Sequence, residues 1–366
     1  DRIAKELRRP PISPTLAPTS LQRTASIWQV RRMLQGAIRR QADIDALLRR
    51  AGIPKELVGA PMSRVSQAQF AALIRIVTWR LRDEFWGLCS HPVRIGSFAC
   101  ACRLMVEQPT LGEALNAALR FYRQMIDDFA PRLQIRDGMA KVDLVERVAW
   151  NEPLGFAESS FLYCGSGVLS WLVARNLPLA QVRLRNAHSA YNAETDWLFG
   201  AEVRFSQPRA GLCFDAKWLN LPVMQTSETL STFLAKAPAN VAVKYRDQTN
   251  PVERTRRLLR RHMGKRPLTL EEVSRMLAMT PQTLRRRLQE EGQGFQQIKD
   301  DLRRDLSIAY LERPELTLQE IARLVGFSET STFHRAFKCW TGLAPGVYRL
   351  RSLDEPDTST AQSEDV

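Results

Sequence analysis

This sequence lacks long apolar runs, clustered histidines and paired cysteines. No stretch reaches the roughly 20 apolar residues of a membrane helix, and the first residues have no apolar core of the signal-peptide type. The 4 histidines and 6 cysteines are scattered, apart from Cys100-Ala101-Cys102. One such pair, without a second pair or neighbouring histidines, is a weak signal for a redox or metal site. We therefore expect a cytoplasmic protein with no membrane segment and no metal.

The common enzyme motifs are also missing. The sequence has no P-loop, no Gly-x-Ser-x-Gly nucleophile elbow and no His-Glu-x-x-His zinc motif. Gly165-Ser166-Gly167 lies inside an apolar stretch without a base beside it, which favours helix packing over catalysis. We predict no catalytic residue and no cofactor.

What the sequence does have is positive charge, with a formal net charge of +14 at pH 7. The basic residues are densest in the C-terminal stretch 251–351. A basic surface attracts polyanions because binding releases condensed counterions. Charge alone does not separate a nucleic-acid binder from a protein with a solvated basic face, so the motifs must decide.

The stretch 316–349 is predicted to form two short helices joined by a tight turn. Thr317 and Glu320 have the spacing of a capping box at the start of the first helix. Gly326 ends that helix, because glycine enters the left-handed region without strain. Ser328 is then predicted to cap the second helix.

The second helix has an apolar inner side and a polar outer side. Phe333 and Phe337 recur at helical spacing. Small polar and cationic residues on the outer side suit the major groove of DNA. These outer residues are Thr330, Ser331, Thr332, His334, Arg335 and Lys338.

An earlier stretch, 268–290, repeats the pattern. Its capping box is Thr269 and Glu272, and Thr280-Pro281 supplies an N-cap and a first-turn proline. Two matching units favour tandem helix-turn-helix modules over an ordinary helical hairpin. Between them, 295–311 is predicted to form one helix about 25 Å long, which could place the two units in successive major-groove segments.

The repeated units resemble the DNA-binding domain of the AraC/XylS family of bacterial transcription regulators. The family signature is matched at Gly326-Phe327-Ser328, Ser331, Phe333, Arg335, Phe337-Lys338, Gly342, Pro345 and Tyr348-Arg349. The resemblance implies a sequence-specific regulator, by family habit an activator. Its implied partners are a double-stranded DNA operator and RNA polymerase, and its implied location is the cytoplasm, on the nucleoid.

The resemblance also implies which residues contact DNA. The family's base-contacting positions fall on Gln282, Arg285, Arg286, Thr330, Ser331, Thr332 and Arg335. Arginine suits guanine, glutamine suits adenine and the threonine methyl suits thymine. We assign Arg287, His334 and Lys338 to phosphate. The run Arg285-Arg286-Arg287 departs from many family members, and a solvated helix face is the alternative for Arg285, Arg287 and Lys338.

The N-terminal half mixes helical and strand patterns, and Asp137-Gly138 predicts a type I′ hairpin turn. Helices are predicted over 27–40, 43–50, 66–85, 111–126, 153–174 and 191–199, and strands over 132–136, 139–144, 182–185, 202–205 and 211–215. This half resembles the arabinose-binding-like domain of one AraC subgroup, which includes regulators of ornithine use and of virulence. The matching stretches are 108–115, 199–205 and 213–219.

That second resemblance implies a small-molecule effector and dimer formation, although the sequence identifies neither the effector nor its pocket. Tyr122, Phe156 and Trp171 could line a pocket, but core packing is the stronger reading. Two other function classes stay open. One is a ligand-independent architectural DNA binder, and the other is a DNA-modifying enzyme with AraC-like modules, for which the zinc-type cysteine spacing is missing.

The predicted fold class is an α+β N-terminal regulatory domain followed by an all-α C-terminal domain with two helix-turn-helix motifs joined by a linker helix. The predicted divisions are a mobile tail (1–20), an effector-sensing and dimerisation domain (21–235), a linker (236–250), the DNA-binding domain (251–351) and a disordered tail (352–366).

Overall fold

The computed structural model of the protein describes residues 24–60, 63–188, 195–236, 251–266, 268–290 and 294–353. The N-terminal part combines helices with two sheets, and the C-terminal part is helical. The predicted fold class is confirmed. Across these ranges, no helix has the length and apolarity to cross a membrane.

The N-terminal part contains nine α-helices within the described ranges and one 3₁₀ turn, Ala216–Asn220. The helices are α1 (Ile27–Arg39), α2 (Ile44–Arg50), α3 (Lys55–Val58), α4 (Gln67–Leu81), α5 (Ser97–Val106), α6 (Leu111–Met125), α7 (Glu152–Leu172), α8 (Thr195–Phe199) and α9 (Ser227–Lys236). Local caps explain several starts. Asp43 accepts from the Ala46 N–H at the start of α2, and Ser66 forms a capping box with Gln69 at the start of α4.

A short antiparallel ribbon precedes two of these helices. Strands β1 (Thr24–Ser26) and β2 (Arg64–Ser66) pair with Thr24 opposite Ser66. β1 runs directly into α1 and β2 directly into α4. We refer to this pair of strands as the ribbon. It was not predicted, because three residues are too few to show a strand alternation.

The second sheet has five strands in the order β3-β4-β7-β5-β6. They are β3 (Phe129–Arg136), β4 (Met139–Glu146), β5 (Gln181–Arg183), β6 (Val203–Arg204) and β7 (Gly211–Asp215). Strands β3 and β4 form the predicted hairpin, with Arg136 paired to Met139. The turn residues Asp137 and Gly138 have φ of 55° and 72°, as a type I′ turn requires.

Helices pack around this sheet to form the N-terminal core. α6 packs on β3 and on α5, and α1 packs on α7. The aromatic residues considered for a pocket are packed in this core: Tyr122 meets Phe161 edge-on, and Trp171 stacks on Phe233. Phe156 is buried beside Trp28. The described residues thus favour the core-packing reading.

Seven helices make up the C-terminal part within its described ranges. They are α10 (Pro251–His262), α11 (Leu270–Met276), α12 (Pro281–Glu290), α13 (Phe295–Leu311), α14 (Leu318–Leu324), α15 (Thr330–Thr341) and α16 (Pro345–Leu353). Helix α13 contacts α10, α14, α15 and α16. It is therefore the central helix of this part, and it corresponds to the predicted linker helix.

The structure corrects two details of the sequence prediction. The helix predicted over 66–85 ends at Leu81, because Arg82 adopts a left-handed φ of 54°. Helix α5 was not predicted at all. Its start has no local cap, and the Glu84 carboxylate instead accepts from the N–H groups of Gly96 and Phe98.

Some predictions fall wholly or partly outside the described residues. The described residues exclude the whole of the tail 1–20, most of the linker 236–250 and most of the tail 352–366. In the helix predicted over 191–199, only 195–199 is described, and this part is helical. The domain divisions therefore remain predictions.

Candidate nucleic-acid interface

The first helix-turn-helix unit is α11 and α12. The Thr269 side chain accepts from the Glu272 N–H while the Glu272 carboxylate accepts from the Thr269 N–H, which confirms the predicted capping box. Thr280 caps α12 by accepting from the Thr283 N–H at 3.1 Å. Local sequence alone therefore fixes where both helices begin.

The two sides of α12 have opposite character. Leu284 and Leu288 are fully buried. Gln282, Arg285 and Arg286 are exposed on the other side, and so is Arg287. The burial of the leucines orients the helix, and the polar residues are left facing solvent as expected for a DNA-reading face.

The second unit, α14 and α15, follows the same plan. Thr317 and Glu320 form the predicted capping box, and Gly326 has φ of 80° in the turn. Phe333 and Phe337 are fully buried. The predicted inner side is therefore confirmed.

The prediction that Ser328 caps α15 is wrong. The helix starts at Thr330, with Glu329 as its N-cap residue and no side-chain cap bond. Instead, the Ser331 hydroxyl donates to the Glu329 carboxylate at 3.3 Å. This copy has one more residue between Ser328 and Phe333 than the first copy has between Thr280 and Leu284. The helix start shifts accordingly, because burial of the two phenylalanines fixes the helix more strongly than one cap bond would.

The outer face of α15 holds most of the predicted DNA-contacting residues. Ser331, Thr332, Arg335 and Lys338 are exposed, and Thr330 is half-buried. His334 differs from these residues, because it is half-buried against Phe333. Its Nε2 atom is buried and has no hydrogen-bond partner among the described residues. For His334, contact with a phosphate would have to be made through Nδ1.

The linker helix α13 is tied to the second turn by Arg303, a residue that the sequence reading missed. Its guanidinium donates to the carbonyl of Gly326 at 3.2 Å and lies 4.8 Å from the Phe327 ring centroid. Burial lowers the pKa of Arg303, and nearby Asp300 opposes that shift. No local pattern marks this arginine, because its partners are more than 20 residues away in sequence.

Metal and redox sites find no support in the described ranges. No group of three or more His, Cys, Asp or Glu side chains is placed to hold a metal ion. Cys100 is exposed while Cys102 is buried, so the two thiols of the weak candidate pair have different environments on α5. Burial raises the pKa of the Cys102 thiol to about 12, which leaves it protonated and unreactive near neutral pH.

Two protein-family models match the chain at the places where these two parts lie. The arabinose-binding domain of AraC transcription regulators matches residues 42–223, and a helix-turn-helix domain matches residues 273–351. Together they cover most of the chain. The protein is a DNA-binding transcription regulator with tandem helix-turn-helix units and an N-terminal domain of the ligand-binding type. It belongs to the AraC/XylS family, in the subgroup with an arabinose-binding-like N-terminal domain.

Bacterial relatives agree with this assignment. The chain is 29% identical over 318 residues to the Ornithine utilization regulator of Pseudomonas aeruginosa, covering 85% of this chain and 91% of that protein. It is 29% identical over 181 residues to the transcriptional regulator VirS of Mycobacterium tuberculosis, covering 47% and 51%. Both are named as regulators and not as enzymes. The solved structure of transcriptional regulator CdpR from P. aeruginosa aligns over 88% of this chain and 98% of that chain, at 18% identity and a TM-score of 0.32, a likeness too low to bear on function.

Proposed function

We propose that this regulator is an activator that reads two successive major-groove segments of one operator, with α12 in one and α15 in the other. The observation that carries the proposal is the pair of polar, exposed helix faces attached to a single 17-residue helix. A helix of this length spans about 25 Å, which is of the order of one DNA turn. We further propose that residues 251–351 form the DNA-binding domain and residues 21–235 the sensing domain.

For base contacts we propose Gln282, Arg285 and Arg286 in the first unit. In the second unit we propose Thr330, Ser331, Thr332 and Arg335. Their chemistry supports this assignment, because arginine and glutamine can each form paired hydrogen bonds with a base edge. We assign Arg287, His334 and Lys338 to phosphate contacts, which position the protein without reading sequence.

We propose that the N-terminal domain controls operator binding. Its match to an arabinose-binding domain supports a small-molecule effector, but not arabinose in particular. We also propose that the protein works in the cytoplasm on the nucleoid, that it contacts RNA polymerase, and that it can form a homodimer. An effector can change DNA binding only if its affinity differs between two states of the protein.

The operator is found by selecting duplexes from a random library with the full chain and footprinting the result. Two protected boxes about one helical turn apart are expected, since each reading helix occupies one major-groove segment. A broad footprint on unrelated sequences would instead support an architectural DNA binder. Promoter fusions carrying the selected site, with and without the protein, test activation.

Arg335→Ala tests base reading in the second box. It should cost about 1–3 kcal/mol on the selected operator and relax the preference at one base pair. Lys338→Ala, three residues on along the same exposed face, is the matched control. It should weaken binding to all sequences alike and reduce the salt dependence of binding. Equal loss on operator and random DNA for Arg335→Ala would show that Arg335 contacts only phosphate.

The effector is sought by thermal shift and operator binding with a panel of metabolites. L-ornithine is the first compound to try, because the relative that aligns over 91% of its length is named an ornithine utilization regulator. An effector should raise the melting temperature of the full chain and change its operator affinity. If no compound does either, the effector proposal fails while operator recognition stands.

A further inference from the structure

The ribbon of the N-terminal domain contacts the DNA-binding part at three places. The Thr24 hydroxyl donates to Asp305 Oδ1 on α13 at 2.8 Å. The Ser63 hydroxyl, next to β2, donates to the carbonyl of Thr341, the last residue of α15, at 3.2 Å. The Tyr348 hydroxyl on α16 donates to the carbonyl of Arg64. The ribbon and the adjacent Ser63 therefore contact three helices of the DNA-binding part, the linker helix α13 and the helices α15 and α16.

The centre of this contact is a buried charge network. Asp305 is 3% exposed and accepts from Arg256 on α10 as well as from Thr24. Arg304 lies 3.3 Å from the same carboxylate, and Arg64 donates to the Thr24 hydroxyl at 2.6 Å. Burial would raise the pKa of Asp305, but Arg304, Arg256 and Arg64 outweigh it and hold the pKa below its ordinary value.

Such a network favours one relative position of the two parts. Separating the ribbon from α13 would leave Asp305 without the Thr24 hydroxyl and without the nearby Arg64 charge. A buried charge that loses partners is costly until water replaces them. The directional bonds to Asp305, Thr341 and Tyr348 must also break together. Because these bonds support one another, we expect the contact to be either made or broken as a unit.

The ribbon is packed into the N-terminal core. Its strands continue directly into α1 and α4. The Ile27 N–H at the start of α1 donates to the carbonyl of Ser63 at 2.9 Å. Ile27 and Val65 are fully buried. A displacement of α1 or α4 within the N-terminal domain would therefore be carried directly to Asp305.

Docking leaves the reading faces uncovered. Gln282, Arg285, Ser331 and Arg335 are all exposed with the ribbon in place. The ribbon side contacts the far end of α15, at Thr341, and the buried side of α13. Nothing in this contact obstructs DNA at the exposed faces.

We propose that the ribbon is the regulatory contact of this protein, and that the docked state is the one able to bind a two-box operator. The inference rests on the proposed function. Docking fixes α13 and α15 to one body, and α12 packs on α10, which Arg256 links to Asp305. Both reading helices are thereby preorganised, and the second box is bound as an intramolecular step. Releasing the ribbon leaves these helices held by packing within the DNA-binding part alone and so weakens that advantage. The N-terminal domain would thus regulate by holding or releasing the linker helix.

The test uses the full chain with Thr24→Val, Ser63→Ala and Tyr348→Phe together. Each change removes a hydroxyl that crosses the contact and nearly keeps the side-chain volume. Ser231→Ala is the control, because among the described residues the Ser231 hydroxyl donates within α9, to the Ser227 carbonyl. The probes are the duplex selected with the wild-type chain and the same duplex with one box replaced by random sequence.

The triple variant should bind the two-box duplex roughly tenfold more weakly, with much less change on the one-box duplex. The control should match wild type on both. If the triple variant lost one-box binding as well, its DNA-binding part would be misfolded, and Thr24→Val and Tyr348→Phe would be measured singly, each expected to give a smaller loss confined to the two-box duplex.

A second readout follows the docking itself. Spin labels on the exposed Cys100 of α5 and Cys339 of α15 report the distance between the two parts. One narrow distance is expected for wild type, and a broad distribution for the variants. Unchanged or tighter two-box binding by the variants, or an unchanged narrow distance, would overturn the proposal. A wild-type chain that selects no DNA sequence would instead refute the proposed function.

Discussion

Replacing Asp305 by Asn should destabilise the protein more than any single surface change. The carboxylate is almost fully buried and accepts hydrogen bonds from Arg256, Arg304 and Thr24. An amide can accept on only one atom, so Arg256 loses its counter-charge while staying buried, whereas Arg304 keeps Asp301 at 2.9 Å. Leaving one side of a buried ion pair unpaired costs about 3–5 kcal/mol. We therefore expect a loss of roughly 3 kcal/mol, the lower end, because the amide oxygen keeps one acceptor.

The size of this effect is judged against Asp300→Asn on the same helix. Asp300 lies 3.7 Å from Arg303, and its side chain is 37% exposed. This pair is longer and closer to solvent than the Asp305 network, so its loss should cost less, about 1 kcal/mol. Urea unfolding followed by circular dichroism gives the two midpoints. Hydrogen exchange of peptides from α13 then shows whether the loss is local to the contact.

A double variant separates charge pairing from packing. Arg256→Met added to Asp305→Asn removes the arginine that the first change leaves unpaired. The double variant should be less destabilised than the sum of the two singles. Additive losses, or a cost for Asp305→Asn no larger than for Asp300→Asn, would refute the account of a buried network.

Asp305 also sets a pH dependence. Its folded pKa is below the ordinary value of 3.8. Its contribution to stability is therefore present above about 3.8 and is lost as the pH falls through the lower, folded pKa. Asp305→Asn should remove that acid-sensitive contribution, and midpoints measured from pH 6 down to pH 3 would show a flatter profile than wild type.

Three further predictions concern other parts of the chain. Burial raises the pKa of Glu158 to about 7, with Arg185 opposing. The contribution of Glu158 to stability is therefore greatest below about 4.5 and is lost as the pH rises through 7, and Glu158→Gln should remove up to about 3 kcal/mol of that change between pH 5 and pH 8. Gly264→Ala should cost over about 1 kcal/mol, since φ is +73° and its Cβ would lie 2.8 Å from the Leu324 carbonyl oxygen. Thr317→Ala should cost about 1 kcal/mol and fray the start of α14 in hydrogen exchange. For each variant, a urea midpoint that did not differ from wild type in the stated way would contradict that prediction.

Predictions from the sequence succeeded where a signal is local. The capping boxes at Thr269 and Thr317 involve residues three positions apart, and the Asp137-Gly138 turn involves only its neighbours. The inward phenylalanines of α15 follow from helical spacing. Such features depend on backbone geometry that a few adjacent residues dictate.

Failures occurred where partners are distant in sequence. Helix α5 starts at Ser97 and is capped by Glu84, which is more than ten residues away, so no residue near its start signals it. Ser328 has the residue type of a cap but is not used, because packing of Phe333 and Phe337 sets the helix position. The base-contact assignments stay predictions, since exposure places a side chain without showing what it binds.

By itself, the sequence determined two helix-turn-helix units, a linker helix and an attached α+β domain, because caps, periodicity and turn residues act over a few positions. Only the tertiary structure decided how the two parts meet. Thr24 and Asp305 are 281 residues apart, and nothing in the run Asp300-Asp301-Leu302-Arg303-Arg304-Asp305 distinguishes the buried carboxylate of Asp305 from those of the half-buried Asp300 and Asp301. Burial is a property of the assembled surfaces, and it alone turns one of these aspartates into the centre of the contact.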